Sequence, residues 1–566
     1  VQTVCLDKTG TLTRNRMTVT RIFSGMRRID VRDGRFTEGK VRVNALDLEE
    51  LRQLLCVCVL CNESKINGAS PDCVLRGSPT ENALIHAAMR AGINVVELRR
   101  SYPMLSVDHR AENRLFMTSL HRSSDPGHRL YAVKGSPQEV LAQCMWHMNK
   151  GERAPLTELE RLKIEVENDR MAGEALRVLG VASAILEDGK GKADCEKWTW
   201  LGLVGMEDPI REGAGDLIEV YHRAGIDTVM ITGDQSPTAF TVGNRLNLSR
   251  GENLEILDSS ALTAVQPEVL QALAQKVHVY SRVSPSNKLQ IVQALQRVGR
   301  VVAMTGDGIN DGPALKAADI GIAMGEGGTD VAREVADVVL EQDDLETLIV
   351  AVRDGRATYD NIRKSVHFFL STNFTEIMVM FASMAAGIGF PLNVMQLLWI
   401  NIISDIFPGL ALSMEAPEPD ILDRPPRDPH RPLLSAGDYK RMTLESATIS
   451  AGALGAYAYG LLRYGMGARA GSLAFHSLTV GQLLHALSCR SEKRGLLERN
   501  APPSNPYLTT ALAGSLGLQA LTVLVPGLRS LLGLTPIGLL DAAVTGAGAL
   551  LALFVNEATK GKKVEP

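Results

Sequence analysis

The hydrophobic and polar positions divide the chain into two unlike parts. Up to about residue 365, short apolar runs alternate with amphipathic stretches and polar segments, a pattern typical of a soluble α/β fold. From Val366 onward, several long runs are almost free of charged residues. The pattern therefore predicts a soluble part followed by a part that lies in a membrane.

Three apolar runs of the first part end in loops that contain glycine and aspartate. They are Val1–Leu6 before Asp7-Lys-Thr-Gly-Thr11, Thr228–Ile231 before Thr-Gly-Asp234, and Val301–Met304 before Thr-Gly-Asp-Gly308. Short β-branched runs of this kind predict buried strands, and their alternation with helical stretches predicts a doubly wound parallel sheet. Because ligands bind at the carboxyl ends of such strands, we expect the three loops to form one site.

A long segment, residues 14–205, separates the first strand from the other two. It is too long for a crossover connection and long enough for an inserted domain. Arg153–Leu176 is typical of a helix, and Arg129–Val133 and Thr199–Val204 are typical of strands, which favours an α+β insert. The predicted domains are a split sheet domain (1–13 and 206–350), the insert (14–205), a stalk (351–365) and a membrane domain (366–566).

The second part contains six apolar stretches, each close to the ~20 residues that cross a bilayer. They are Val366–Phe390, Met395–Met414, Thr443–Leu462, Ser472–Cys489, Leu508–Leu524 and Ile537–Val555. The connecting segment Glu415–Arg441 is rich in arginine and lysine, which predicts that it faces the cytoplasm. Six spans return the chain to the same side, so the soluble domains are predicted to be cytoplasmic as well.

Composition and charge narrow this picture only slightly. A chain of 566 residues exceeds what one hydrophobic core organises. The formal net charge of -4 gives no reason to expect a nucleic-acid partner. Eight cysteines are few for a chain of this length and favour a reducing compartment. Cys56, Cys58 and Cys61 lie in an apolar run and are interpreted as packing residues, with a metal site as the alternative.

The motif that begins at Asp7 is the most specific indication of chemistry in the sequence. A carboxylate at a strand tip, followed by Lys8, Thr9 and a glycine, is suited to forming a covalent aspartyl phosphate. The alternative is an ordinary aspartate in a turn. The recurrence of Thr232-Gly-Asp234 and Thr305-Gly-Asp-Gly-Ile-Asn-Asp311 after later strands favours the chemical interpretation.

These motifs resemble those of P-type ATPases, cation pumps whose phosphorylation domain is haloacid-dehalogenase-like, and the resemblance covers essentially the whole chain. It implies that Asp7 attacks the γ-phosphate of ATP and that Mg²⁺ is held by Asp7, Asp307 and the backbone of Thr9. It implies that Lys288 neutralises the charge of the transferred phosphate. The catalytic residues that it implies are Asp7, Lys8, Thr9, Thr232, Gly233, Asp234, Lys288, Asn310 and Asp311.

The insert resembles the nucleotide-binding domain of these pumps. The resemblance implies that ATP contacts Glu81, Lys134, Gly135, Arg177, Asp208, Arg211 and Arg282. Calcium-pump relatives carry an aromatic residue that stacks on adenine, whereas this sequence has Arg110 there, and Phe116 is the only ring within several residues. Because an arginine can also stack on a base, ATP binding is still expected. How adenine is held stays open.

Two predicted spans carry a set of polar residues that can bind a cation. Asn373 and Glu376 share a face of the first span, and Asn401, Ser404 and Asp405 share a face of the second. Oxygen ligands that include two carboxylates suit a hard cation such as Ca²⁺, and hydrogen bonding between helices is the alternative.

The spans also resemble those of calcium-type pumps. The segment His485-Ala-Leu-Ser-Cys-Arg-Ser491 resembles the secretory-pathway Ca²⁺/Mn²⁺ pumps and lacks the acid of two-site sarcoplasmic-type pumps. The resemblance implies that Ca²⁺ or Mn²⁺ is the transported ion, with one ion per ATP.

The resemblance further implies parts that this sequence does not contain. These are an actuator domain with a Thr-Gly-Glu loop and four earlier spans with a Pro-Glu segment. Since the sequence begins with Val1, we expect a missing N-terminal half that transport requires. The alternatives are a pump of Na⁺, K⁺, Mg²⁺ or H⁺, a membrane-anchored haloacid-dehalogenase-like phosphatase, and a regulatory pseudo-pump subunit. Thr9 argues against the phosphatase, because such enzymes commonly have a second aspartate there.

Overall fold

The computed structural model describes residues 1–32, 34–67, 74–111, 114–123, 127–187, 198–262, 267–491, 494–495 and 502–560. The chain forms two compact units that meet in sequence at residue 346. The first unit contains three sheets, and the described residues of the second form helices and loops without a strand.

A seven-stranded parallel sheet has Thr3–Asp7 at its centre. Across the sheet, the strands are Ile256–Asp258, Val279–Ser281, Asp227–Ile231, Thr3–Asp7, Val302–Gly306, Ile320–Met324 and Val338–Leu340. The predicted parallel α/β sheet is therefore confirmed. Its register places Asp7 beside Ile231, one residue before Thr232, so the ends of these two strands reach the same edge.

Helices connect the strands and cover the sheet. Those of eight or more residues are Ala214–Arg223, Ser236–Arg245, Pro267–Ala274 and Pro285–Arg297, and the shorter ones are Lys8–Leu12, Ser259–Leu262, Ile309–Asp311, Gly312–Ala317 and Asp330–Val335. The helix Pro285–Arg297 starts sharply because the Ser284 side chain accepts a hydrogen bond from the Asn287 amide and Pro285 has a preset φ. Its buried Ile291 packs in the same core as Cys5 of the central strand.

An eleven-stranded sheet forms most of the insert. The strands of its main path are Val41–Val43, Arg35–Glu38, Arg27–Arg32, Thr18–Ser24, Trp198–Glu207, Arg177–Glu187, His128–Gly135, Phe116–Arg122 and Met104–Asp108, and Cys144–Asn149 and Glu152–Pro155 extend it at Trp198–Glu207. Its pairings are antiparallel except that between Cys144–Asn149 and Trp198–Glu207. A two-stranded sheet, Lys65–Asn67 with Val74–Arg76, lies apart.

Five helices of the described chain belong to the insert. They are Glu49–Leu60, Pro79–Arg90, Val95–Ser101, Pro137–Ala142 and Glu158–Gly173. The helix predicted over Arg153–Leu176 is shorter at its start, because Glu152–Pro155 is a strand and the capping box of Thr157 with Glu160 fixes the first turn after it. Cys58 and Cys61 are fully buried, in agreement with the packing interpretation.

The insert leaves and rejoins the parallel sheet domain through two adjacent connecting segments. Thr13 pairs with Ile210, and the Thr13 hydroxyl donates to Asp208 Oδ2 at 2.6 Å. The other oxygen of Asp208 accepts from the Arg16 amide at 3.1 Å. The two connections are therefore fastened to each other by side-chain as well as backbone hydrogen bonds.

The second unit is built from helices. They are Glu346–Ala385, Val394–Ile400, a wide π-type turn at Asn401–Ile406, Phe407–Leu412, Ala436–Tyr464, Ala468–Ser488, Pro506–Leu524, Pro526–Leu531 and Leu539–Ala558. The predicted stalk 351–365 and the first predicted span form one continuous helix of 40 residues. This helix ends at Ala385, five residues before the predicted end of the span.

Four helical segments of the described chain are long and apolar enough to cross a membrane: Glu346–Ala385, Val394–Leu412, Pro506–Leu524 and Leu539–Ala558. The predicted spans at 443–462 and 472–489 coincide with helices, but these helices are less apolar. Ala436–Tyr464 contains Arg441 and Glu445, and Ala468–Ser488 is rich in hydroxyl side chains and histidine. That these two helices also cross the membrane stays a prediction.

Candidate functional site

Asp7 lies at the carboxyl end of the central strand and is 5% exposed. Its backbone amide donates to the Thr305 hydroxyl at 3.1 Å, which ties it to the neighbouring strand Val302–Gly306. The three predicted loops all follow strands of this sheet, next to one another in the order Asp227–Ile231, Thr3–Asp7, Val302–Gly306. The parallel topology therefore brings the three motifs to one edge of the sheet.

A buried lysine lies between two of the carboxylates at this edge. Lys288 Nζ is 3.1 Å from Asp7 Oδ1 and 2.5 Å from Asp311 Oδ1. The second oxygen of Asp311 accepts from the amides of Asp307 and Gly308 at 3.3 and 3.1 Å. Asp311 therefore uses both oxygens to hold the lysine and the loop, which makes it a positioning residue.

Three carboxylates form a cluster that fits a small hard cation. Asp7, Asp307 and Asp311 each offer an oxygen within 4.8 Å of the other two. Gly10 has a φ of +80°, and a Cβ at this position would overlap the Asp307 carboxylate. The chain thus approaches Asp307 as closely as glycine allows, and Lys288 pairs with Asp7 and Asp311 of this cluster. This donor set fits Mg²⁺.

Burial and neighbouring charges shift the pKa values of these groups. It raises the pKa of Asp7 to about 7, although Lys288 acts in the opposite direction. Burial and the nearby Asp311 raise the pKa of Asp307 to about 6. Burial alone would lower the pKa of Lys288, but Asp7 and Asp311 outweigh that effect and raise it. The carboxylates are thus short of positive charge, which a bound cation would supply.

The second loop is held close to the first. Lys8 Nζ is 2.6 Å from Asp234 Oδ2, and the Thr232 hydroxyl accepts from the Asp234 amide at 3.1 Å. Arg282 adopts a positive φ of 52°, and its amide donates to the Asp234 carbonyl at 2.7 Å. Gly233 lies between Thr232 and Asp234 in this fixed turn, so the structure brings these predicted residues together.

Other predicted residues of this edge are placed differently. Thr9 and Asn310 are exposed. The Arg211 guanidinium donates to the carbonyls of Gly10 and Thr13 at 2.7 and 3.1 Å, and both oxygens of Asp208 are used at the chain crossing. Arg211 and Asp208 fasten the base of the insert, and contacts of either with a nucleotide stay a prediction.

In the insert, Glu81 and Lys134 form a buried ion pair. Glu81 lies in the first turn of Pro79–Arg90, where its other oxygen accepts from the Glu63 amide at 3.2 Å. Lys134 is at the end of the strand His128–Gly135 and is 5% exposed. The structure thus brings together two residues that are distant in the sequence, and each can pair with a ligand group in place of the other.

Gly135 follows Lys134 for a steric reason. A Cβ there would overlap Phe116 and the Leu115 carbonyl, which accepts from the Ser136 amide at 2.9 Å. Phe116 itself contacts Trp198 edge-on with ring centroids 5.3 Å apart, and the Arg114 guanidinium lies over the Phe116 ring at 5.6 Å from its centroid. Arg110 and Arg177 are exposed. The sequence analysis did not single out Arg114, although a basic residue two positions before the aromatic Phe116 was a usable signal.

The helical unit brings a second set of predicted residues together. Glu376 is buried and lies close enough to Asp405 for the two charges to repel each other. Gln482 Nε2 is 3.5 Å from Glu376 Oε1 and 3.2 Å from the Thr372 carbonyl. Buried oxygens of Ser404, Asp405 and Gln482 have no hydrogen-bond partner among the described residues. Unpartnered buried oxygens next to two acids are suited to binding a cation.

The wide turn Asn401–Ile406 shapes this set. Pro408 has no N–H to donate to the Ser404 carbonyl four residues earlier, so the regular helix cannot continue through this stretch. Asn401 and Asn373 are exposed, and the Asn373 amide donates to the Phe369 carbonyl at 2.7 Å. Sequence reasoning missed Gln482, although an amide in an apolar helix was a usable signal.

Comparisons with known proteins identify the family of the chain. The family model described as P-type ATPase, cytoplasmic domain N, matches residues 50–213. The model described as cation transporting ATPase, C-terminus, matches residues 389–561. The chain belongs to the P-type cation-transporting ATPases and is a multi-pass integral membrane protein.

Relatives are found in bacteria and eukaryotes. A calcium-transporting ATPase of Bacillus subtilis is 35% identical over 93% of this chain and 60% of its own length. Human calcium-transporting ATPase type 2C member 1 is 32% identical over 99% of this chain and 61% of its own length. Calcium-transporting ATPase 1 of Schizosaccharomyces pombe is 32% identical over 99% of this chain. The chain spans about 60% of the length of the first of these relatives.

Proposed function

We propose that this chain is the catalytic and C-terminal membrane portion of an ATP-driven cation pump, with Ca²⁺ as the transported ion and Asp7 as the phosphorylated residue. The single observation that carries the proposal is the buried group of Asp7, Lys288, Asp307 and Asp311 at the carboxyl edge of the parallel sheet. The relatives are named calcium-transporting ATPases, which supports the choice of ion.

In the proposed reaction, a carboxylate oxygen of Asp7 attacks the γ-phosphorus of ATP. The new oxygen–phosphorus bond forms as the bond to the oxygen that bridges the β- and γ-phosphates breaks, and ADP leaves. Lys288 lies 3.1 Å from Asp7 and is placed to neutralise charge on the transferred group. The hydroxyl of Thr232 and the amide of Gly233 are proposed donors to its oxygens.

Mg²⁺, when bound, neutralises the repulsion between the carboxylate and the polyphosphate. Asp7, Asp307 and the Thr9 backbone are the proposed ligands. Asp311 contributes through its hold on Lys288 and on the amides of Asp307 and Gly308. Lys8 with Asp234, and Asn310, complete the proposed surroundings of the phosphate.

ATP is proposed to bind the insert. Lys134 would exchange its ion pair with Glu81 for a ligand group, while Arg177, exposed at the start of its strand, would reach the phosphates. Arg110, which is exposed, is the proposed stacking group for adenine, and Phe116 is the second residue proposed to contact it. Gly135, Asp208, Arg211 and Arg282 act through the backbone geometry that they fix.

The transported cation is proposed to bind among Glu376, Ser404, Asp405 and Gln482, with Asn373 and Asn401 as further ligands. Two carboxylates and neutral oxygens suit Ca²⁺, and Mn²⁺ takes the same ligand class. A stoichiometry of one ion per ATP belongs to the same proposal. A measured ratio of two Ca²⁺ per ATP would contradict it.

The finer architecture is part of this proposal. It comprises a haloacid-dehalogenase-like sheet domain (1–13 and 206–350), a nucleotide-binding insert (14–205), a stalk (351–365) and six spans within 366–566, with the soluble domains in the cytoplasm. Dephosphorylation and transport would further use an actuator domain and four earlier spans, parts that the longer relatives have room for.

The test is phosphorylation of the purified membrane protein with γ-labelled ATP and Mg²⁺, with and without Ca²⁺, followed by an acid quench. We expect a Ca²⁺-dependent, acid-stable label that Asp7→Asn abolishes. Asp216→Asn, an exposed aspartate of the same sheet domain, is the matched control and should label as the wild type does. Retained label in Asp7→Asn would refute the assignment, and hydrolysis of small phosphate esters without ion dependence would favour the membrane-anchored phosphatase.

A further inference from the structure

A second cluster of ligand groups lies in the helical unit, apart from the acids of the proposed transport site. His367, His485 and Cys489 each present a ligand atom within 4.8 Å of the other two. His367 belongs to the helix Glu346–Ala385, and His485 to Ala468–Ser488, with Cys489 one turn further on. His367 is nine residues from Glu376, about 14 Å along the helix.

Glu445 of the helix Ala436–Tyr464 reaches the same point. Its Oε2 lies 2.6 Å from His367 Nε2 and 3.8 Å from His485 Nε2. Its Oε1 accepts from Arg441 Nε at 2.8 Å, which leaves one oxygen for the cluster. Glu445 and His485 are 2% and 1% exposed, so the groups meet in the protein interior.

The spacing of these atoms fits a tetrahedral metal ion. Zinc–nitrogen and zinc–sulfur bonds of about 2.0 and 2.3 Å place the nitrogen and sulfur of a tetrahedral site about 3.5 Å apart. Cys489 Sγ and His485 Nε2 are 3.4 Å apart. To admit an ion, the 2.6 Å contact between His367 Nε2 and Glu445 Oε2 has to lengthen by a side-chain adjustment.

The outer surroundings fit the same ion. His485 Nδ1 is 3.5 Å from the side-chain nitrogen of Asn556. Metal binding through Nε2 requires this amide to turn over, so that its oxygen accepts from the Nδ1 proton of His485. Phe368 is fully buried and stacks with His485 at a centroid distance of 6.2 Å. An apolar wall of this kind excludes water and strengthens bonds to a cation.

We propose that His367, His485, Cys489 and Glu445 form a binding site for a zinc-class transition-metal ion that joins three helices of the membrane part. Imidazole and thiolate ligands select Zn²⁺ or Co²⁺ over Ca²⁺, Mg²⁺ and Mn²⁺, which prefer oxygen. Binding releases the Cys489 thiol proton, since the thiolate is the ligand. The site holds its own ion and does not depend on the proposed transport function.

Cobalt is the probe, because a cobalt–thiolate bond gives a charge-transfer absorption band. The chelator-treated protein in detergent is titrated with Co²⁺, then with Zn²⁺. We expect one equivalent of Co²⁺ to produce the band and Zn²⁺ to remove it. Cys489→Ser should abolish the band, and His485→Gln should weaken Co²⁺ binding by at least about tenfold. Absence of the band in the wild type, or equal affinity in His485→Gln, would overturn the proposal.

Two controls locate the ion. His476→Gln alters another buried histidine of the same helix, which pairs with Gln519 at 2.9 Å, and should leave the band and affinity unchanged. The double variant Glu376→Gln, Asp405→Asn should also keep the band. Loss of the band in that variant would place Co²⁺ at the transport site and overturn the proposal.

A measurement on the wild type alone tests the proposal even if the variants fail to fold. Alkylation of Cys489, followed by mass spectrometry, should slow at least about tenfold when Zn²⁺ is added. The half-buried Cys56 of the insert serves as the internal reference and should react at an unchanged rate. Equal rates for Cys489 with and without Zn²⁺ would contradict the proposed site.

Discussion

Replacing Gly10 with alanine tests the geometry of the carboxylate cluster. Gly10 has a φ of +80°, which costs a residue with a Cβ about 1–2 kcal/mol. The new Cβ would in addition occupy the position of the Asp307 carboxylate, which would have to rotate away from Asp7. Loss of a supporting contact weakens a metal site by about 10- to 100-fold, or about 1.4–2.8 kcal/mol. We therefore expect half-saturating Mg²⁺ for phosphorylation to rise at least about tenfold.

Gly213 provides a matched control for this experiment. It also has a φ of +80°, but nothing lies within 4 Å of the Cβ that an alanine would add. Gly213→Ala should show the same backbone cost in chemical unfolding and an unchanged Mg²⁺ dependence of the acid-stable label. If both variants show the same Mg²⁺ dependence, the reasoning from the close approach of Gly10 to Asp307 is wrong.

The remaining predictions concern Lys288, the carboxylates of Asp7 and Asp307, and Gln482. Lys288→Met leaves the carboxylates of Asp7 and Asp311 without their lysine and should lower the free energy of unfolding by about 3 kcal/mol or more. Lys316→Met, at an exposed lysine, is the control and should change the free energy of unfolding little. A loss below about 1 kcal/mol in Lys288→Met would contradict this prediction. The pKa values of Asp7 and Asp307 are raised without metal, so these carboxyls take up protons as the pH falls from about 8 to about 6, and Mg²⁺ must then displace those protons. Calorimetry should therefore show weaker Mg²⁺ binding and proton release at the lower pH. A constant Mg²⁺ affinity over this range would argue against the raised pKa values. Gln482→Leu removes an oxygen beside Glu376 and should raise the Ca²⁺ concentration that half-saturates labelling, whereas an unchanged Ca²⁺ dependence would exclude Gln482 as a ligand.

The meeting of the three motifs at one edge of the parallel sheet was predictable because each motif follows its own strand directly. Once Thr3–Asp7, Asp227–Ile231 and Val302–Gly306 are assigned as parallel strands, their ends must share an edge. The role of Asp311 was less accessible. It depends on where Lys288, 23 residues earlier, points its side chain. The sequence pattern predicts the strands. Which side chains meet across the edge depends on how the helix Pro285–Arg297, which carries Lys288, packs against the sheet.

The membrane part was harder to predict for two physical reasons. Apolar content identifies spans but says little about which polar residues face each other, so Gln482 and the pairing of His367 with Glu445 were missed. The predicted spans also assumed regular helices. Pro408 interrupts the second one and produces the wide turn at Asn401–Ile406, which alters the face on which Ser404 and Asp405 lie.

The hydrogen bonds that join the two ends of the insert determine how easily the insert can change in length. Thr13 and Asp208 are 195 positions apart in sequence, yet their side chains are joined by a hydrogen bond. Lengthening a loop costs only about 0.6 kcal/mol per doubling even when its ends must be brought together. Here the ends are already joined within the parallel sheet domain, so residues can be gained or lost far out in the insert with little effect on the stability of the catalytic sheet. The crossing at Thr13 and Asp208 is therefore a natural place to graft or exchange a whole domain.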